Sequence, residues 1–101
     1  MNTSSLQQFV IIAYDGIDAD ALNRRLAVRE AHLGNMQQLK ATGNFVEGGA
    51  ILNDQGNMIG SVVIVAFTSR NELDEWLKND PYVTGKVWQK IEVQSFRCAP
   101  L

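Results

Sequence analysis

A single histidine, His32, stands in the whole chain, inside the run Arg29-Glu30-Ala31-His32-Leu33-Gly34. Imidazole takes up and releases a proton near neutral pH, its ordinary pKa being ~6.5. Three residues earlier, Arg29 offers a planar fork of N–H donors suited to a carboxylate or a phenolate. Together they read as a base beside an anion binder. The plainer alternative is an amphipathic helix on which Arg29 snorkels and His32 is a surface or hydrogen-bonded residue. Asp80-Pro81-Tyr82 is the second constellation. Taken alone it points only weakly to function, because an Asp-Pro step often serves to terminate a helix. Ser61 follows Gly60 but lies in no Gly-x-Ser-x-Gly elbow, so a serine nucleophile is not indicated. Neither Gly48-Gly49 nor Gly60-Ser61 forms a phosphate-binding loop. The lone Cys98 excludes an internal disulfide and, with one histidine, a Cys/His metal cluster. No metal and no cofactor is expected.

These side chains must be positioned by short elements. Phe9 to Tyr14 is an apolar, β-branched run ended by Asp15-Gly16, and reads as a first strand. Asp18 or Asp20 can cap the helix that follows, and Gly43 stops it. Leu22, Leu26, Leu33 and Met36 recur at helical spacing, which predicts a buried stripe with Arg29 in its middle and His32 at its edge. Arg29 is then expected to be partly buried and paired. Gly34 inside this helix suggests a kink or a close approach. Asn44 to Leu52, the Asn53–Asn57 turn and Met58 to Thr68 form a hairpin. Ser69-x-x-Glu72 is a capping box, and Leu73, Trp76 and Leu77 follow on one helical face. Pro81 should end that helix, with a short turn through Tyr82-Val83 leading to a last strand, about Val87 to Phe96. Trp76, Trp88, Phe45 and Phe67 read as packing.

The order βαββαβ predicts an α+β, ferredoxin-like domain: a four-stranded antiparallel sheet with two main helices on one face. Both faces of the first and third strands are apolar, whereas the fourth carries Lys90, Glu92 and Gln94. Strands one and three are therefore central. Helices cover one face only, so a second copy of the chain, packed sheet to sheet, is the expected cover for the other.

At 101 residues the sequence makes one domain, 7–101, behind a polar tail, 1–6. With 20% charged residues and a net charge of -2, it lacks the concentrated basic face that nucleic acid requires. No apolar run approaches a membrane span, and the first residues do not resemble a signal peptide. A reducing cytoplasm suits the single thiol.

Arg29-x-x-His32-Leu33, Gly43 followed by Gly48-Gly49-Ala50, Gly60-Ser61 and Asp80-Pro81-Tyr82 resemble, in order and spacing, the YciI-like (YCII-related) family over about Phe9 to Phe96. The resemblance implies a dimeric α+β barrel with a His-Asp pair in a cleft, and among its members a cofactor-free dehydrochlorinase of a chlorinated hydroxyquinol. Carried onto this chain, His32 and Asp80 would be the catalytic pair, with Arg29, Ser61 and Tyr82 binding a small-molecule substrate. The function so implied is a cofactor-independent enzyme performing general acid–base elimination or isomerisation on a small organic acid, aromatic acids included. Two rivals stand beside it: a non-catalytic small-ligand or protein-binding module, and a cofactor-independent monooxygenase.

Overall fold

The computed structural model describes residues 6–101. The expected polar tail therefore lies, except for Leu6, outside the described residues. Seven elements follow one another: β1 (Gln7–Asp15), α1 (Ala21–Ala41), β2 (Phe45–Leu52), β3 (Met58–Phe67), α2 (Arg70–Leu77), α3 (Pro81–Thr84) and β4 (Trp88–Phe96). The sheet order is β2-β3-β1-β4, and every pair is antiparallel. This is the ferredoxin-like arrangement, with the two apolar strands at the centre as their composition requires.

Register sorts the side chains onto two faces. Ile11 stands opposite Val63 on one side and Val93 on the other. Phe9, Ile11 and Ala13 thus share the inner face with Val63, Val65 and Phe67, and all six are buried. Met36 and Leu39 of α1, Leu73 and Leu77 of α2, and Tyr82 of α3 close this core. On the outer face Val10, Ile12, Val62 and Ile64 remain half-buried within one chain. Beside them Lys90, Glu92 and Gln94 of the edge strand β4 are exposed.

Local chemistry accounts for the element ends. Gly43 adopts φ +82°, and Asn44 N–H and Gly43 N–H return to the carbonyls of Leu39 and Lys40, a Schellman stop for α1. Ser69 Oγ accepts the Glu72 N–H at the start of α2. The Glu72 carboxylate reaches back to Thr68 N–H, so the box closes one residue earlier than its usual form. Gly60 admits no side chain, since a Cβ there would stand 2.5 Å from the Ala13 carbonyl oxygen. The central pair β1–β3 can therefore close only over a glycine.

Five expectations need correction. Asp20 holds the N-cap position of α1, but its side chain makes no capping bond. Its neighbour Asp18 is engaged instead with Arg24. The buried face of α1 is Ala21, Arg25, His32, Met36 and Leu39, while Leu26 and Leu33 are 50% and 41% exposed. The helix turns Arg25 and His32 inward because both find carboxylates there, and two leucines yield the place. Arg29 is exposed, and it makes no hydrogen bond or ion pair among the described residues. Finally, Asp80-Pro81 does not end a helix. α2 has already stopped at Leu77, and Asp80 caps α3 with Pro81 at its first turn. As for Gly34, α1 passes through it unbroken, and an added Cβ would meet nothing within 4 Å, so close approach does not explain this glycine.

Candidate active site

Asp80 is fully buried, and three donors surround its carboxylate. As N-cap of α3 it accepts Tyr82 N–H on Oδ1 at 2.8 Å. The same oxygen faces His32 Nδ1 at 2.9 Å, and Oδ2 accepts Asn35 Nδ2–H at 2.8 Å. His32 and Asn35 lie three residues apart on α1, one turn along one face, so the helix presents both to the carboxylate together. Surrounded by donors, Asp80 takes its bond from Nδ1–H. Nε2 is then the imidazole nitrogen left to accept a proton from a ligand.

The imidazole is held on its flanks as well. Tyr82 stacks on it with ring centroids 3.7 Å apart and planes within 9°. Trp88 meets it edge-on at 5.6 Å. The Tyr82 phenol is raised above its ordinary range by burial, with Arg25 and Arg29 pulling the other way. It stays neutral across the physiological range.

A second buried pair lies two turns earlier on α1. Arg25 Nη1 contacts both oxygens of Asp15, at 3.0 and 3.1 Å, and Nη2 donates to Ser61 Oγ at 2.9 Å. Its Cζ stands 4.7 Å from the centre of the Tyr82 ring. Asp15 is delivered by the irregularity where β1 leaves its register with β4. Trp88 Nε1–H donates to the same Ser61 oxygen at 3.2 Å.

These groups meet at a cavity of about 150 Å³. Arg25, Arg29, His32, Ser61 and Tyr82 form its polar wall, and Leu33, Met36 and Phe45 its apolar one. Gly48-Gly49-Ala50 of β2 adds a strip of wall almost without side chains. A larger hollow of about 580 Å³, lined by Tyr14, Ile17, Leu22, Met58 and others, holds none of His32, Ser61 and Tyr82. It is the roomier of these two, but the reactive side chains converge on the smaller one. No group of three or more His, Cys, Asp or Glu residues able to hold a metal occurs among the described residues.

Of the residues singled out in the sequence, His32 and Asp80 are thus in direct contact, and Arg29, Ser61 and Tyr82 line the same cavity. Sequence reasoning missed Arg25, Asp15, Asn35 and Trp88. A signal existed for Arg25, which lies seven residues before His32 and so on the same helical face. Asp15 and Trp88 join only through the sheet, and no spacing announces them.

Residues 7–97 match the model of the YCII-related domain family. The chain belongs to this family. Protein YciI of Escherichia coli O6:H1 is 37% identical over 95 residues, covering 88% of this chain and 95% of its own. Among solved structures, 5-chloro-2-hydroxyhydroquinone dehydrochlorinase (TftG) from Burkholderia phenoliruptrix AC1100, in complex with 2,5-dihydroxybenzoquinone, superposes with a TM-score of 0.78 at 26% identity, covering 91% of this chain and 95% of that one. A dimeric protein of unknown function and ferredoxin-like fold from Bacteroides fragilis is similar in fold alone, with a TM-score of 0.52 at 12% identity and coverage of 92% and 98%.

Proposed function

We propose that this YCII-related protein is a small enzyme working by general acid–base catalysis without a cofactor, eliminating or isomerising a small organic acid, aromatic acids included. The observation that carries the reading is the 2.9 Å contact between His32 Nδ1 and the buried carboxylate of Asp80. It leaves Nε2 to act as base at the cavity. Asp80 fixes the tautomer and stabilises the imidazolium once it forms, as an orienting carboxylate does. Arg29, at the cavity wall and engaged by no other described side chain, would receive the substrate's anionic group. The likeness to a dehydrochlorinase favours elimination: Nε2 takes a proton, and the electron pair so released expels a leaving group from the neighbouring carbon.

Turnover of chlorinated hydroxyquinols, followed by chloride release and oxygen uptake together, tests this. Wild type should release chloride without consuming oxygen. His32→Ala should lower the rate by roughly a hundredfold or more, and Asp80→Asn by a smaller factor. Oxygen consumption coupled to product would instead point to a monooxygenase. An undiminished rate in His32→Ala would remove the base from the mechanism.

A further inference from the structure

The hollow of about 580 Å³ takes no part in the acid–base chemistry, yet the fold fixes its walls. Residues 16–19, the loop after β1, line it and present Ile17, whose side chain is fully exposed. Arg24 pins that loop, gripping Asp18 at 2.7 Å while donating to the Lys86 carbonyl at 3.1 Å. Gly16 lies under the same grip, since a Cβ there would stand 2.7 Å from both Arg24 Nη2 and Asp18 Oδ1. Ile17 is thus held out in water by a pinned loop, and Tyr14 and Ile59, both exposed, continue the apolar wall. Exposed apolar surface gathered in a concavity marks a place for a ligand or a partner.

Most charge at this hollow is already paired. Asp15 pairs with Arg25 and Asp18 with Arg24. Asn53 accepts Gln55 N–H and Asn57 N–H within its own hairpin. Lys90 differs, making no hydrogen bond or ion pair among the described residues. Glu92, two residues along β4, accepts from Gln94 instead. The hollow also adjoins the smaller cavity. Met58 lines both, and the Arg25–Asp15 pair links a wall of one to a wall of the other. A cavity of about 150 Å³ holds a group the size of one benzene ring. A larger ligand must place its remainder elsewhere, and the flexible thioether of Met58 can yield to let it pass.

We infer that the larger hollow is a second binding compartment, which takes an apolar arm with an anionic end on a ligand whose ring occupies the smaller cavity. Ile17, Tyr14 and Ile59 cover the arm, and the Lys90 ammonium meets the anion. The ligand class is an aryl compound carrying an alkanoate chain. The inference rests on the acid–base reading only in placing the ring, and binding in the hollow requires no turnover.

Titration calorimetry with phenylacetate, 4-phenylbutyrate and 6-phenylhexanoate tests it through chain length. Wild type should bind 6-phenylhexanoate at least about tenfold more tightly than phenylacetate, because each buried methylene adds to the affinity. Ile17→Ser, at a fully exposed position that folding does not need, should lose most of that gain and leave phenylacetate binding unchanged. Lys90→Gln should weaken 6-phenylhexanoate about threefold. His32→Ala should keep the dependence on chain length, so a failure of the base would leave this result standing. Equal affinity for the shortest and longest ligands would overturn the inference. So would a gain that survives both Ile17→Ser and Lys90→Gln, which would place the chain elsewhere. A flat series together with a dimer that Ile17→Ser dissociates in sedimentation would also overturn it, and would give the hollow to a second copy.

Discussion

Arg25 and Arg29 lie one helical turn apart, and the interior selects the earlier one. Four residues advance a helix by 400°, so the two guanidinium stems differ by only about 40° in direction. No pattern of leucines can separate them. The partners decide: Arg25 meets Asp15 and Ser61, whereas Arg29 stays exposed at the cavity wall. The sequence pointed to Arg29 because Leu22, Leu26 and Leu33 were counted as core. His32 was legible for a different reason, as the one imidazole in the chain. Its contact with Asp80, 48 residues away, is a tertiary fact that spacing cannot announce. Buried ion pairs such as Arg25–Asp15 seldom persist for stability alone, since desolvation offsets much of the attraction.

Most elements could be read to within a residue or so from apolar period, turn residues and caps. α3 could not, since a four-residue helix shows no periodicity and Asp-Pro serves equally to stop or to start one. Yet α3 delivers both Asp80 and Tyr82 to the site. Its end is a Schellman turn: Val87 N–H returns to the Tyr82 carbonyl and Lys86 N–H to that of Val83. Lys86 takes the left-handed position at φ 58°, where glycine is the usual residue. Its side chain makes no hydrogen bond or ion pair among the described residues, while its carbonyl accepts from Arg24 Nε and Gln89 Nε2. That arginine also grips Asp18, holding its carboxyl down at about 2. Lys86→Gly should therefore stabilise the fold by about 1 kcal/mol, or roughly 4–8 °C in Tm. Thermal unfolding by circular dichroism would show it, and a lowered midpoint would mean that the lysine side chain contributes something glycine cannot.

At the scale of the molecule, the sheet has one face covered by helices and one open. Val10, Ile12, Val62 and Ile64 lie on the open face at the centre of the sheet, flanked by Lys90, Glu92 and Gln94. We propose that a second copy covers it, because no described element of the chain lies over this apolar centre. Such an interface should bury about 2,000 Å² in total. Sedimentation at micromolar concentration should then give twice the 11.2 kDa chain mass, and a single species at the chain mass would contradict it. This face was legible from alternation in β1 and β3, where both sets of side chains are apolar.

The acid–base reading depends most on the charge of Asp80 acting on His32. The direct measurement is an NMR titration of the His32 imidazole in wild type and in Asp80→Asn. Asparagine can still accept from Nδ1–H, but it carries no charge to stabilise the imidazolium. Wild type should therefore hold its imidazolium to higher pH than Asp80→Asn does. Superimposable titration curves would contradict the account and leave His32 and Asp80 as structural partners only.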